Sequence, residues 1–217
     1  LNVCEYCDVK YKWYELIPLY SFVTMRGNCI YCGKKLNIVY PLLELMNGFL
    51  FSLAYIYYGF SYELIIMLLL TCLLTIIYIS DFKYYIIPDN PLIVFSVIVL
   101  ILKFVFFGFQ TFIISVLSGA IIFLFMYFVK IVGNFLFKRE SLGDGDIKLA
   151  MFFGFVMGIR LAIVSLIIGS FLAFPIAIYY SLTGKDKEIP FGPYLITGLY
   201  FVFLFMEPIR HFLSIIF

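Results

Sequence analysis

Residues 64–80 read LIIMLLLTCLLTIIYIS, and the stretch that follows them, residues 81–89, reads DFKYYIIPD. The first stretch has no charged side chain and approaches the roughly 20 residues that a helix needs to cross a bilayer. The second opens with Asp81, directly at the end of the apolar run. A carboxylate beside hydrocarbon is energetically costly, so a position that keeps one is a candidate functional site.

A second aspartate stands in a comparable setting. Residues 143–146 read GDGD, and Asp146 is followed by Ile147, Lys148 and Leu149 at the start of another apolar run. Glycine permits backbone conformations and close approaches that other residues do not. We therefore expect room for a helix or an extended peptide beside Asp146, which would also start its helix, where the dipole favours an anion.

The composition extends the membrane pattern to the whole chain. Of its 217 residues, 65% are hydrophobic and 13% are charged, and the mean hydropathy is +1.09. Soluble domains carry roughly 25% charged residues, so we predict an all-α, polytopic integral membrane protein, and no basic tract indicates nucleic acid. Seven helices are predicted, at residues 39–58, 62–80, 91–107, 111–133, 146–158, 160–181 and 194–216. Because the chain begins at Leu1 rather than Met, we expect a further amino-terminal segment ahead of it.

Lysine and arginine side chains concentrate on one side of the predicted bundle. Twelve of the fifteen lie in the amino-terminal segment or in loops on its side: Lys10, Lys12, Arg26, Lys34, Lys35, Lys83, Lys130, Lys138, Arg139, Lys148, Lys185 and Lys187. The other three are Lys103, Arg160 and Arg210. The positive-inside rule then predicts a multi-pass protein of the cell membrane whose amino-terminal segment and two aspartates face the cytoplasm.

Four of the five cysteines form two Cys-x2-Cys pairs near the amino terminus: Cys4, Cys7, Cys29 and Cys32. Four thiolates at this spacing can surround a Zn²⁺ ion, and a segment this short needs a metal to stabilise it. We predict a structural zinc-binding module at residues 1–37 and a transmembrane helical domain at residues 38–217. Free or redox-active thiols are the alternative interpretation.

The aspartate pair suggests a specific chemistry. If Asp81 and Asp146 meet, like charges oppose each other and the pair holds one proton. One carboxylate can then take a proton from water while the other, protonated, polarises a peptide carbonyl, which is the chemistry of aspartyl proteases. A solvated helix-end carboxylate without a catalytic role is the alternative for each residue.

Four further residues are candidates for supporting or substrate-facing roles: Gly143, Gly145, Lys148 and Glu44. The glycines would leave room at Asp146. Lys148 would act on that carboxylate, face the substrate, or anchor the helix at the interface. Glu44, at the start of the first apolar helix, is either a third polar group near the site or an acid favourable to the helix dipole.

Two other acidic residues compete for these roles and are assigned elsewhere. Asp89 lies between Pro88 and Asn90-Pro91, a context in which we predict a helix N-cap. Asp144 occupies the free position of the Gly-x-Gly-Asp turn, where we predict a solvated or capping carboxylate.

These motifs occur together in one family. The chain resembles the type IV prepilin peptidases, membrane aspartyl proteases of the Gly-x-Gly-Asp class. Besides the cysteine pairs, the resemblance is carried by KWYELIPLYSF (12–22), RGNC (26–29), YPLLEL (40–45), IPD (87–89), GDGDIKL (143–149) and PFGPYL (190–195). The resemblance therefore covers nearly the whole chain.

The resemblance implies a function and its residues. Asp81 and Asp146 would be the catalytic aspartates, and the substrates would be prepilins or pseudopilins, whose short basic leader is cut after a glycine on the cytoplasmic side. Many relatives with the cysteine module also methylate the new amino terminus, which requires S-adenosylmethionine. They usually carry one more helix ahead of the cysteines, which would give eight.

Other classes of protein share parts of this pattern. A thiol–disulfide membrane oxidoreductase would use the Cys-x2-Cys pairs, but it needs them on the oxidising side, contrary to the charge distribution. An ion-coupled transporter would use the paired aspartates, although transporter carboxylates tend to lie near the bilayer midplane. A chaperone for pilin export without catalytic activity is a third alternative.

Overall fold

The structure is a computed structural model that describes residues 3–4, 6–17, 19–138, 141–182 and 190–216. It contains two compact units, Leu1–Ile56 and Tyr57–Phe217. The predicted boundary between a module at residues 1–37 and a domain at residues 38–217 stays a prediction. Three basic residues of the charge distribution lie outside the described residues: Arg139, Lys185 and Lys187.

The first unit consists of turns followed by helix. It contains a 3-10 helix at Trp13–Leu16, a short helix α1 at Tyr20–Thr24 and most of helix α2, Val39–Tyr58. Two isolated antiparallel bridges, Val3 with Lys10 and Asn28 with Lys35, close one turn around each cysteine pair. The amino-terminal part of this unit thus takes its order from local turns rather than from an extended apolar core.

The second unit is helical. Its elements are α3 (Tyr62–Tyr84), α4 (Asp89–Phe137), α5 (Asp144–Leu182), α6 (Gly192–Leu204) and α7 (Met206–Ile216). Among the described residues, α2, α3, α4 and α5 are long and apolar enough to cross a membrane, and the bent pair α6–α7 is a fifth candidate. The chain is therefore a multi-pass, all-α membrane protein, as its composition predicts.

Glycines divide the two longest helices. Gly108 in α4 has φ 82° and Gly158 in α5 has φ 76°, a backbone region that favours glycine. Lys103 donates a hydrogen bond from Nζ to Ser115 Oγ at 2.9 Å, whereas these residues would be about 18 Å apart along a continuous helix. The chain therefore folds back at Gly108. With α4 and α5 counted as two helical segments each and the bent pair α6–α7 counted as one, the seven predicted helices are confirmed.

Two predicted boundaries are wrong. Helix α3 does not end at residue 80 but continues through Asp81 to Tyr84, and it stops where Tyr85 takes a left-handed conformation and donates its N–H to the Asp81 carbonyl oxygen. Lys83 in this last turn suits the negative end of the helix dipole.

The predicted helix at 194–216 is also not continuous. The axes of α6 and α7 differ by 80° at the break between Leu204 and Met206. Proline is tolerated in a first turn but not in a helix interior, and Pro208 lies in the first turn of α7. The charged residues Glu207 and Arg210 are exposed there, which is typical of a helix at an interface rather than inside hydrocarbon.

Small residues allow the helices of the second unit to pack closely. A Cβ atom added to Gly154 of α5 would lie 2.6 Å from the Cα atom of Gly119 of α4. A Cβ atom added to Gly198 of α6 would lie 2.6 Å from the backbone nitrogen of Gly169 of α5. Such contacts between small residues are typical of helix packing in membranes. They fix α5 between α4 and α6, and so fix the helix that carries Asp146.

Candidate active site

Asp81 lies in the last turn of α3, and its side chain is almost fully buried, with 6% of the residue exposed. Its Oδ2 atom accepts a hydrogen bond of 3.0 Å from the backbone N–H of Gly192, the first residue of α6. A Cβ atom at Gly192 would lie 3.0 Å from the same oxygen. Glycine at position 192 therefore lets the start of α6 approach the carboxylate closely enough to hold it.

Asp146 lies in the first turn of α5, which begins at Asp144. Its side chain is partly buried. Gly145, the residue before it, borders the same Ile87 side chain that borders Gly192 beside the Asp81 carboxylate. A Cβ atom at Gly143 would lie 3.2 Å from Asp146 Oδ2, so the preceding turn approaches this carboxylate closely as well. The two aspartates, from helices that are distant in the sequence, thus lie near each other in the second unit.

The side chain of Ile87 lies between the segments that carry the two carboxylates. A Cβ atom at Gly145, next to Asp146, would lie 3.0 Å from Ile87 Cβ and 3.4 Å from Ile87 Cδ1. A Cβ atom at Gly192 would lie 2.9 Å from Ile87 Cδ1. Ile87 is 9% exposed. The space beside the aspartate pair is therefore partly filled by one apolar side chain from the loop between α3 and α4.

The other acidic residues near this end of the helices form ion pairs. The Lys148 ammonium contacts Asp89 Oδ2 at 2.7 Å, and Lys130 contacts Asp144. The predicted cap at Asp89 is wrong, because Pro88 is the N-cap residue and Asp89 is the first residue of α4. Asp144 is exposed, as expected for the free position of the turn. Lys148 thus contacts Asp89, and its proposed action on Asp146 or on substrate stays a prediction.

Glu44 takes part in a contact inside the first unit. Its Oε2 atom accepts a hydrogen bond of 2.7 Å from the backbone N–H of Leu19. Leu19 has a φ of 59°, an uncommon conformation for a residue with a side chain. Glu44 lies in the second turn of α2. Its hydrogen bond holds the positive-φ backbone of Leu19 in place. A direct part for Glu44 in catalysis stays a prediction.

The four amino-terminal cysteines form one cluster. The Sγ atoms of Cys4, Cys7, Cys29 and Cys32 all lie within 4.8 Å of one another, and Cys4 Sγ is 3.9 Å from Cys32 Sγ. A tetrahedral zinc ion with Zn–S bonds of about 2.3 Å would separate its sulfurs by about 3.8 Å. The donor set and its spacing therefore fit zinc.

The two halves of this cluster have the same backbone geometry. In the first half, the Cys4 N–H donates to the Val9 carbonyl and the Asp8 N–H to the Cys4 carbonyl. In the second half, the Cys29 N–H donates to Lys34 and the Gly33 N–H to Cys29. Asp8 and Gly33 both have positive φ, 54° and 69°. Each Cys-x2-Cys pair therefore lies on one turn that points both sulfurs the same way.

The ionisation of the four crowded thiols also favours a bound cation. The Tyr6 backbone N–H and the nearby Tyr11 hydroxyl lower the pKa of Cys4 to about 6. Although the Val9 backbone N–H lowers the pKa of Cys7, burial and the three neighbouring thiols raise it to about 12. Four thiolates cannot share this space unless a positive ion neutralises them, and thiolate is the form that binds zinc.

Tyr11 is a residue of this cluster that sequence reasoning missed. Its hydroxyl oxygen is buried and has no hydrogen-bond partner of regular geometry among the described residues. Burial and the neighbouring thiols of Cys4 and Cys29 raise the pKa of Tyr11. A buried hydroxyl without an acceptor is costly, and metal-bound thiolates would supply one.

The roles of Gly192 and Ile87 were also missed. Both residues belong to motifs that the sequence contains, PFGPYL (190–195) and IPD (87–89), but a proline-containing turn at the start of a helix explains each motif by itself. Only the approach of α6 to α3 gives them their contacts with the aspartates.

Comparisons with known proteins identify the family of the chain. A family model described as the bacterial peptidase A24 N-terminal domain matches residues 2–58, and a model of the type IV leader peptidase family matches residues 68–178. No solved structure shows a significant match.

Curated relatives cover most of the chain. A prepilin leader peptidase/N-methyltransferase of Bacillus subtilis is 28% identical over 96% of this chain and 83% of the relative. Proteins with the same name are 33% identical in Myxococcus xanthus, over 70% of this chain and 45% of the relative, and 29% identical in Neisseria gonorrhoeae, over 93% and 70%. Neither a thiol–disulfide oxidoreductase nor a transporter receives support from these matches.

Proposed function

This chain belongs to the type IV leader peptidase family, and from that premise we propose that it is a membrane aspartyl endopeptidase that removes the short basic leader of prepilins or pseudopilins. The observation that carries the proposal is that the segments of Asp81 and Asp146, two carboxylates from separate helices, meet around the side chain of Ile87. Two neighbouring carboxylates in a largely apolar setting are costly and have no obvious structural role. As an acid/base pair they have a well-understood role in peptide hydrolysis.

The mechanism follows from the shared proton. The ionised carboxylate accepts a proton from a water molecule, and the resulting hydroxide attacks the carbonyl carbon of the scissile peptide bond. The protonated carboxylate donates its proton to the carbonyl oxygen as negative charge develops there. When the carbon–nitrogen bond breaks, the leaving nitrogen receives the proton that the first carboxylate took from water. A hydroxyl of the tetrahedral intermediate returns its proton to the second carboxylate as the carbonyl reforms, so the pair again holds one proton. The Gly192 N–H keeps the Asp81 carboxylate in one orientation throughout.

The glycines near the pair suit a peptide substrate. A bond inside a helix is shielded by its own hydrogen bonds, so the scissile segment must be locally unwound before water reaches it. Gly143 and Gly145 have no side chains that would occupy that path, and Gly143 lies close to the Asp146 carboxylate. We propose that the substrate's apolar helix lies among the enzyme's helices while its leader reaches the cytoplasmic face.

The orientation is part of the same proposal. The excess of Lys and Arg in the loops on the side of the amino-terminal module supports a cytoplasmic module and active site. Asp81 at the end of α3 and Asp146 at the start of α5 would then be reached from the cytoplasm, where the leader of an unprocessed substrate would lie.

We assign zinc a structural part. Cys4, Cys7, Cys29 and Cys32 would hold the ion, which when bound supplies a rigid tetrahedral crosslink. These residues then fix the two turns of the first unit and take no part in the chemical step. A segment of this size buries little apolar surface, so its order depends on this crosslink.

Methylation of the new amino terminus is proposed from the names of the relatives. S-adenosylmethionine needs polar groups for its charged sulfonium and its adenosine. A cavity of about 410 Å³ between α4 and α5 does not fit it, since its walls are mostly apolar and its two charged residues, Asp89 and Lys148, bond each other. We therefore assign this second activity to no residue of the chain.

One processing assay tests both activities. Purified protein in liposomes is mixed with a full-length prepilin, and mass spectrometry identifies the first residue of the product and any added methyl group. We expect a single cut that releases the basic leader after a glycine. An intact substrate after incubation with folded, membrane-inserted protein would refute the peptidase. A cleaved product of unmodified mass with S-adenosylmethionine present would refute methylation alone.

A further inference from the structure

The side chain of Ile87 occupies the place in the second unit where the two carboxylate-bearing segments come together. Ile87 Cδ1 and Asp81 Oδ2 both lie within 3.0 Å of the point that a Gly192 Cβ atom would occupy. The same Cδ1 atom would be 3.4 Å from a Cβ atom at Gly145, the residue before Asp146. One methyl group therefore reaches both sides of the aspartate pair.

The backbone around Ile87 is held in place. Tyr85 ends α3 in a left-handed conformation with φ 55°, and Pro88 restricts the residue before it to extended conformations. Ser80 Oγ donates a hydrogen bond of 2.6 Å to the carbonyl oxygen of Ile86. A fixed loop thus holds Ile87 next to the aspartates. Its neighbour Ile86, by contrast, is 62% exposed.

This arrangement limits what else fits beside the aspartates. The positions nearest to Ile87 on the opposite walls are glycines, and neither wall could carry even a Cβ atom without a contact of 3.0 Å or less. Protein interiors are packed closely enough that one methyl group changes what they accept. A peptide residue placed over the carboxylates would therefore have Ile87 as an apolar neighbour.

We propose that Ile87 is a specificity-determining residue, which fills the space that a side chain of the substrate residue before the scissile bond would need and so selects glycine at that position. The inference rests on the proposed function and deepens it. Ile87 touches no reacting atom and takes no part in proton transfer; it acts by excluding larger residues. The loop at 85–88 and the starts of α5 and α6 would form one selective pocket.

The test compares two substrates and three variants. The substrates are a prepilin with glycine before the cut and the same prepilin with alanine there, both assayed in liposomes. The variants are Ile87→Ala, Ile87→Val, which removes the Cδ1 atom, and the matched control Ile86→Ala. The readout is the ratio of kcat/KM for the alanine substrate to kcat/KM for the glycine substrate.

We expect Ile87→Ala to raise this ratio on the order of 10-fold, the usual effect of one small apolar group in a pocket. Ile87→Val should raise it by a smaller factor, and Ile86→Ala should leave it at the wild-type value. An unchanged ratio in Ile87→Val that still cleaves the glycine substrate would overturn the inference, even if Ile87→Ala fails to fold. Wild-type protein that cleaves neither substrate would instead refute the proposed function.

Discussion

The cysteine cluster takes its four thiols from two short turns, whereas the aspartate pair is assembled from helices that are distant in the sequence. In the cluster, each Cys-x2-Cys pair is oriented by hydrogen bonds that span only a few residues, such as Gly33 N–H to the Cys29 carbonyl. At the aspartates, the corresponding bond joins Gly192 to Asp81, which are 111 positions apart. The first site depends on local backbone geometry and the second on helix packing.

This difference indicates how each site should fail. A metal cluster made of local turns fails by local unfolding, because the ion is the main source of order in a short segment. A pair of carboxylates on packed helices fails chemically, since the helices are held by contacts elsewhere, such as Gly154 with Gly119. Loss of a carboxylate should therefore abolish activity and leave the fold intact. Loss of the metal should instead unfold the amino-terminal segment and leave the chemical step intact.

The largest effect is expected at the aspartates. Asp81→Asn or Asp146→Asn, each alone, should reduce prepilin cleavage by on the order of 10³-fold or more, because neither amide can share the proton that the mechanism needs. The amount of protein in the membrane should be unchanged. Cleavage is measured by the shift in product mass.

Two neighbouring carboxylates provide matched controls. Asp89 forms an ion pair with Lys148, and Asp144 forms one with Lys130. Neither carboxylate takes part in the proposed proton transfers. Asp89→Asn and Asp144→Asn should therefore keep substantial activity. Full processing by either Asp81→Asn or Asp146→Asn would reject the pair as the catalytic centre.

A smaller effect is expected at the residue that positions Asp81. Gly192→Ala adds a Cβ atom 2.9 Å from Ile87 Cδ1 and 3.0 Å from Asp81 Oδ2, so the start of α6 must move away from the carboxylate. We expect kcat to fall by about 10- to 100-fold, the usual result of a displacement near 1 Å. Steady-state kinetics on prepilin in liposomes measure it.

A double variant tests whether Gly192→Ala acts by displacing the start of α6 from Asp81. Adding Ile87→Val to Gly192→Ala removes the nearest atom and should restore part of the lost kcat, a coupling that independent sites would not show. Gly48→Ala in α2 is the control, because a Cβ atom there meets no other atom within 4 Å. An unchanged kcat in Gly192→Ala would mean that the hydrogen bond to Asp81 is not needed.

Metal removal should affect the first unit more than the chemistry. After treatment with a strong zinc chelator, or in Cys29→Ser, the segment at residues 1–37 should become accessible to limited proteolysis, and its thiols should react with a thiol reagent. Activity should fall by about 10-fold or less, because the metal takes part in no chemical step and its binding supplies folding energy instead. Continued protection of a demonstrably metal-free protein would show that the thiols order the segment without an ion.

The smallest effect is expected at Tyr11. Tyr11→Phe removes the hydroxyl beside Cys4 and Cys29, and loss of such a supporting contact typically weakens metal binding by about 10-fold. Competition with a chromophoric chelator measures the affinity, and cleavage should change little. Tyr20→Phe is the control, since Tyr20 is 59% exposed. Equal affinity in the two variants would mean that the Tyr11 hydroxyl has another acceptor.

Much of the fold could be predicted because it depends on runs of adjacent residues. Apolar stretches of bilayer length located seven helical segments, and Gly108 and Gly158 lie at or near the predicted breaks. The ends of helices were predicted less well. Asp81 was expected to follow its helix and is instead inside it, because the last turn at residues 81–84 is polar enough to resemble a loop. The bend before Met206 was missed because an apolar run precedes it and further apolar residues, 212–213 and 215–216, follow the short polar stretch at 207–211.

The amino-acid sequence by itself determined the class of the protein, the cysteine cluster and the two candidate aspartates, because spacing within one turn or one apolar run is written in neighbouring residues. Tertiary structure alone decided that Gly192 holds Asp81, that Ile87 fills the space between the aspartate-bearing segments, and that Asp89 pairs with Lys148 rather than capping its helix. Each of these contacts joins groups from separate elements, either two helices or a helix and a loop. Their partners are set by which helix faces approach each other, and close packing of small residues, not any local pattern, controls that approach.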